Sequence, residues 1–211
     1  LAFTAAIPFL AVAVYLLVSM ANYSQSYSDI VSNLTVANKY NLDFKEVMDE
    51  SLYKMVVGYA TFDNISENET LVNPYDKIRE LREEFQKLKK ETVDSESRVW
   101  VDSLLRNIDT LEDRIKDIEI NIKDGGNYDQ NIKELDDDIY ILTDLIQDDI
   151  QHYIYYQTRN MDMVTTGLNG QVRLFLILCG GMIAVLAVGI AVIAYLISRG
   201  ILRPIRELST A

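Results

Sequence analysis

No charged residue occurs between Leu1 and Ser28, and none occurs between Leu174 and Ser198. A bilayer core about 30 Å thick is crossed by roughly 20 apolar residues in a helix. Leu174–Ser198 (LFLILCGGMIAVLAVGIAVIAYLIS) exceeds that length, and Leu1–Ala21 (LAFTAAIPFLAVAVYLLVSMA) meets it. The apolar run of Leu1–Ala21 is longer than the core of a cleaved leader. A retained span is therefore expected over residues 1–21, and a second over 173–198. Residues 22–172 hold 16 Lys/Arg and 31 Asp/Glu, a net of −15 within a chain whose total is −12. An acid excess of this size argues against a nucleic-acid partner, which needs a basic face for phosphates.

Orientation follows positive charge. Arg199, Arg203 and Arg206 follow the second span, so that side is expected to be cytoplasmic and residues 22–172 extracellular. The single cysteine, Cys179, lies in the second span, so the outer region must hold together by packing. Residue 1 is not Met and Ala211 stops in mid-pattern, so the chain is expected to be cut at both ends. Gly180, Gly181, Ala184, Ala187, Gly189 and Ala191 form small faces compatible with a dimer.

The outer region is expected to be all-α. Apolar residues recur at three- and four-residue steps. The stripes are Tyr23, Tyr27, Ile30, Leu34 and Ala37; Phe44, Met48, Leu52, Met55, Tyr59 and Phe62; and Ile78, Leu81, Phe85 and Leu88. Two more are Val101, Leu104, Ile108, Leu111, Ile115, Ile118 and Ile122, and Ile132, Leu135, Ile139, Leu142, Ile146, Ile150 and Tyr153. Asn73-Pro74 supplies an N-cap and a proline at the first helical position. Asp124-Gly125-Gly126-Asn127 is a helix stop and tight turn. Asn41-Leu42-Asp43 reads as a turn with Asp43 as N-cap. Residues 64–73 read as a loop, and Thr92–Ser97 as a kink or a break.

A chain that leaves a membrane and returns makes an even number of passes. Taking Thr92–Ser97 as a kink gives four: 21–40, 43–63, 74–124 and 128–172. The expected fold is an antiparallel four-helix bundle flanked by two spans. Its third and fourth helices, about 75 and 67 Å long at 1.5 Å per residue, extend as a longer hairpin. The same ruler brings the Asn41 turn, the 92–97 kink and His152 to one height, about 30 Å along the bundle.

That shoulder is the expected ligand site. It gathers Tyr40, Trp100, Tyr153, Tyr155 and Tyr156 with Arg98 and His152, and Arg159 stands nearby. Aromatic walls with a few polar groups suit a small molecule; the same rings would equally cap a bundle core. His152 is the only histidine and cannot make a typical zinc site alone. Asp124–Glu134 has the wrong offsets for a calcium loop, and the runs Asp136–Asp138 and Asp148-Asp149 read as a solvated face. Nucleotide loops, a Ser-His-Asp set and HExxH are missing, so no catalytic residue, metal or cofactor is expected. Sequons at Asn33, Asn64 and Asn68 are assigned no role.

The run Ser198-Arg199-Gly200-Ile201-Leu202-Arg203-Pro204-Ile205-Arg206-Glu207-Leu208 resembles the opening of a HAMP linker, the helical relay of bacterial transmembrane receptors. Arg203, Pro204, Ile205, Glu207 and Leu208 fill the pattern, so residues 199–211 are expected to begin it. Asn38–Gly58, Asn73–Phe85 and Leu142–Gln157 resemble the sensor regions of clostridial sensor histidine kinases of the YesM/LytS type. The resemblance implies a bacterial plasma membrane, a homodimer, a cytoplasmic kinase and a response regulator. The fragment itself would not be an enzyme; it would sense an external small molecule, peptide or binding protein. A methyl-accepting chemotaxis receptor and a non-sensing, membrane-anchored helical interaction protein are the alternatives.

Overall fold

The computed structural model describes the backbone of residues 2–62 and 71–199, and their side chains from Leu10 on. The expected HAMP residues Arg203, Pro204, Ile205, Glu207 and Leu208, and the sequons at Asn64 and Asn68, lie outside the described residues. Every regular element among the described residues is helical. They are α1 (Ala2–Val56), α2 (Pro74–Glu91), α3 (Ser95–Lys123), α4 (Tyr128–Glu134), a π turn (Leu135–Ile139) and α5 (Tyr140–Ile197). The chain divides into two units, residues 26–163 and residues 1–25 with 164–211.

Within residues 26–163, polar pairs set the register between neighbouring helices. Asp43 meets Lys77 at 3.3 Å, and Glu80 accepts from Lys39 at 2.8 Å and Tyr40 at 2.9 Å. Tyr75 donates to Glu119 at 2.6 Å; Arg82 pairs with Asp109 and Glu112. Asn121 meets Asn131 at 2.7 Å, Asn107 meets Asp149 at 2.8 Å, and Glu96 meets Arg159 at 3.3 Å. Asp49 accepts from Thr143 at 2.8 Å, while Lys45 pairs with Asp144 at 3.1 Å. Numbers rise on one helix as they fall on its neighbour, so each adjacent pair of helical segments is antiparallel. The shared core includes Phe44, Met48, Leu52, Leu81, Phe85, Leu104, Ile108, Ile115, Ile139, Ile146 and Ile150. Fully burying one such side chain contributes about 1.5–3 kcal/mol.

The expected turn at Asn41-Leu42-Asp43 is absent. Helix α1 runs through it, because Ala37, Tyr40, Phe44, Met48, Leu52 and Met55 form one unbroken buried stripe. Asp43 is not an N-cap; it pairs with Lys77. The helix ends later, at Val56, and Gly58 two residues on takes a φ of +81°, open to glycine at little cost. Gly58 N–H donates to Met55 and Tyr59 N–H to Lys54, a Schellman closure. Tyr59, expected on the buried stripe, is 79% exposed just beyond that closure.

Thr92–Ser97 is a full reversal and not a kink. Thr92 N–H closes α2 on Leu88 O, and Asp94 caps α3 by accepting from Glu96 N–H and Ser97 N–H. The expected 75 Å pass is thus two helices of 18 and 29 residues, about 27 and 43 Å long. The long two-helix extension is corrected with it. Tyr75, one residue into α2, already meets Glu119 on the second-last turn of α3. Four helical passes remain, but their reversals fall between α1 and α2, at 92–94 and at 124–127.

The other punctuation stands as expected. Asn73 Oδ1 accepts from Tyr75 N–H at 2.9 Å ahead of Pro74. At the far turn Gly125 has φ +72°, and Gly126 N–H reaches Asn121 O at 2.8 Å. A Cβ on Gly126 would stand 2.7 Å from that same carbonyl oxygen, which excludes larger residues without a shift.

In the unit formed by residues 1–25 and 164–211, Gly167 leaves room for the Tyr23 ring; a Cβ there would lie 2.8 Å from Cε1. Leu10, Tyr15, Leu176, Ile183, Val185 and Ile190 are exposed. Among the described residues, Tyr128–Ile197 is long and apolar enough to cross a membrane by length and composition, and none of its most apolar window is buried.

Candidate functional site

The reversal at Thr92 organises the residues expected to form the site. Thr92 Oγ1 donates to Leu88 O at 2.7 Å and lies 3.1 Å from the Tyr153 hydroxyl. Arg98 Nε donates to Thr92 O at 2.8 Å, which staples the turn to the first helical turns of α3. Asp94 gains from the same geometry. Burial raises its carboxyl, but hydrogen bonds from Ser97, Asn160 and the Glu96 backbone outweigh that and hold it below the ordinary value.

The aromatic residues then separate into two groups. Tyr40 and Tyr153 are interior, on either side of Phe85. The Tyr40–Phe85 and Phe85–Tyr153 centroids are 6.2 and 5.9 Å apart, both edge-to-face. Such pairs add about 0.5–1.5 kcal/mol beyond area burial. Burial, then the hydrogen bond to Glu80, pushes the Tyr40 phenol well above its ordinary range; burial also raises the Tyr153 phenol, against the hydrogen bond with Thr92. Tyr40 and Tyr153 are therefore wall and core, with no face open to solvent.

Trp100, His152, Tyr155 and Tyr156 form the outer group. The Trp100 ring on α3 stacks on His152 of α5 with centroids 4.0 Å apart and planes 13° apart. Tyr156, one turn on from His152, lies nearly parallel to Trp100 at 6.5 Å. Tyr155 meets Tyr156 edge-on at 5.3 Å. His152 and Tyr155 are exposed, and Trp100 and Tyr156 are half-buried. The two expected cations are already engaged: Arg98 holds the turn and Arg159 pairs with Glu96.

Three contributors were not singled out from the sequence. Phe85 was read only as part of a stripe, yet it joins the two interior tyrosines. Thr92 fixes Tyr153. Asp149, read as solvated, is 5% exposed and accepts from Asn107 at 2.8 Å. Its seat was legible: it falls between Ile146 and Ile150 on the buried face of α5. Burial raises its carboxyl, against opposing hydrogen bonds from Ser103 and Asn107 and the charges of His152 and Arg106.

A raised carboxyl means that the folded state prefers the proton. The stability it contributes is complete below the ordinary carboxylate range and is lost as pH rises through the raised value. Asp149→Asn keeps an acceptor for Asn107 and removes that loss. The variant is expected to melt higher than the parent at pH 7 and equally at pH 3, read by circular dichroism. A lower melting temperature at pH 7 would show that the ionised carboxylate is the favoured form.

The arrangement offers π faces with a polar rim. No group of three or more His, Cys, Asp or Glu positioned to hold a metal occurs among the described residues. The chain matches no protein-family model, no curated protein and no solved structure.

Proposed function

We propose that the chain is the sensory and membrane-spanning portion of a bacterial two-span receptor. In this reading, residues 22–172 are an extracellular antiparallel four-helix bundle between spans 1–21 and 173–198. A HAMP linker starts at residue 199, and a histidine kinase with its response regulator follows in the cytoplasm. The receptor works as a homodimer in the plasma membrane. Its external ligand is a small molecule, a peptide or a binding protein, and the Trp100–His152–Tyr156 face is the place where it docks.

One observation carries the reading. The helical run Tyr128–Ile197 holds both the buried residues Leu135, Ile139, Ile146, Ile150 and Tyr153 and the uncovered, charge-free stretch that begins at Leu174. The basic residue Arg199 follows that stretch, with the HAMP-like Pro204-Ile205 beyond. A ligand that binds two states of the outer helices unequally shifts them, and a continuous helix delivers the shift to the linker.

Single cysteines in a Cys179→Ser background test the topology. Lys123→Cys is expected to react with an impermeant maleimide on intact cells, and Arg206→Cys only after permeabilisation. Labelling of both on intact cells, or of Arg206→Cys alone, rejects the two-span orientation.

A further inference from the structure

Helices α4 and α5 would be one helix but for five residues. Tyr140 N–H reaches back to Leu135 O, an i→i+5 bond that places one extra residue in the turn. That residue decides which face points inward. Above the π turn Asn131 is buried, and its Oδ1 accepts from Asn121 Nδ2 at 2.7 Å. Below it Thr143, Ile146, Ile150 and Tyr153 are buried. A plain α-helix drawn upward from that lower face brings Ile132 inward, since Ile132, Leu135 and Ile139 keep three- and four-residue spacing. The π turn thus seats an asparagine in the core and leaves Ile132 half-buried at the core's edge.

We propose that the π turn is a one-residue register switch, giving α4 two seatings on α3. In one, Asn131 is inward and bonded to Asn121. In the other, the turn relaxes to α and Ile132 is inward. Opposed terms hold the balance: apolar burial favours Ile132, and the Asn121–Asn131 bond favours Asn131. The moving part is α4. Turning the lower helix would expel Ile146, Ile150 and Tyr153, each 0% exposed, whereas among the seven residues of α4 only Asn131 is buried. Gln130 and Glu134, bonded at 3.0 Å, line a cleft of about 330 Å³ with Asp117, Asn121 and Asp124, so its lining changes with the seating. The inference uses residues 95–157 alone and stands apart from the receptor reading.

Spin labels at Lys116→Cys and Lys133→Cys, in the full chain with Cys179→Ser, report the seating as a distance distribution. Both positions are exposed. Asn131→Lys, which cannot be seated inward, is expected to move the distribution to a new, equally narrow distance. Ile132→Gln is expected to leave only the original distance, and deletion of Asp137, which removes the spare residue, to fix a single distance insensitive to either substitution. An unmoved distance in Asn131→Lys, or a broad one signifying a melted tip, overturns the switch.

Discussion

Phe85→Ala is expected to destabilise the protein by about 3–5 kcal/mol, the range for truncating a fully buried aromatic residue. The side chain is 0% exposed and lies edge-to-face with both Tyr40 and Tyr153. Removing it leaves a cavity that those two rings cannot close. Tyr40 is held by its bond to Glu80, and Tyr153 by Thr92. The cost therefore lies toward the upper part of the range. Trp100, in the outer aromatic group, is only half-buried, so Trp100→Ala is expected to cost much less. Chemical unfolding of the full chain in detergent, followed by circular dichroism, measures both. Equal losses would mean that the inner and outer aromatic groups are one packed unit.

Helical stripes were legible wherever they ran uninterrupted. Ile78, Leu81, Phe85 and Leu88 are all buried, as are Val101, Leu104, Ile108, Leu111, Ile115 and Ile118. Three- and four-residue spacing suffices there because one face meets one core. The reversals were harder. Thr92–Ser97 carries a helix stop and an N-cap, and those local signals are the same for a kink and a hairpin. The long-range pairs of Arg82 with Asp109 and Glu112 decide between them. The π turn was hidden for a related reason. Ile132 and Leu142 complete a faultless α stripe, yet Asn131 and Thr143 take the buried seats beside them. Each does so through a polar partner on another helix, Asn121 and Asp49 respectively.

The candidate site was legible by composition but not by arrangement. His152 and Tyr156 are four residues apart on one helix face, which sequence spacing gives directly. That Trp100 stacks on His152 depends on α3 running back beside α5, so it waits on the topology. Tyr40 and Tyr153 were grouped with the outer rings because they share their height. They belong to the core because they share a face with Phe44 and Ile150, all four being buried. Arg98 and Arg159 looked free because their partners, a turn carbonyl and Glu96, become neighbours only after the chain reverses.

Leu42→Pro separates a continuous α1 from a turn at residues 41–43. The side chain is 80% exposed, so its removal costs almost no packing. The effect is then a backbone effect. Proline removes the N–H bond to the carbonyl four residues earlier and clashes with that carbonyl, at a cost of about 3 kcal/mol or more. In a turn the same residue would be tolerated. Val93→Pro is the matched control: it is 92% exposed and sits between α2 and α3. Thr92, before it, has the extended ψ of 115° that a following proline favours. Leu42→Pro is expected to lower stability by more than about 3 kcal/mol and Val93→Pro by less than about 1 kcal/mol, both from unfolding curves. The opposite order would place the reversal in α1 and make Thr92–Ser97 the kink. The size of the Leu42 effect also bears on Lys77 and Glu80, because both reach α1 within one turn of that position. A bent α1 would break those pairs as well, so the measured loss is expected to sit above the helix-propensity value alone.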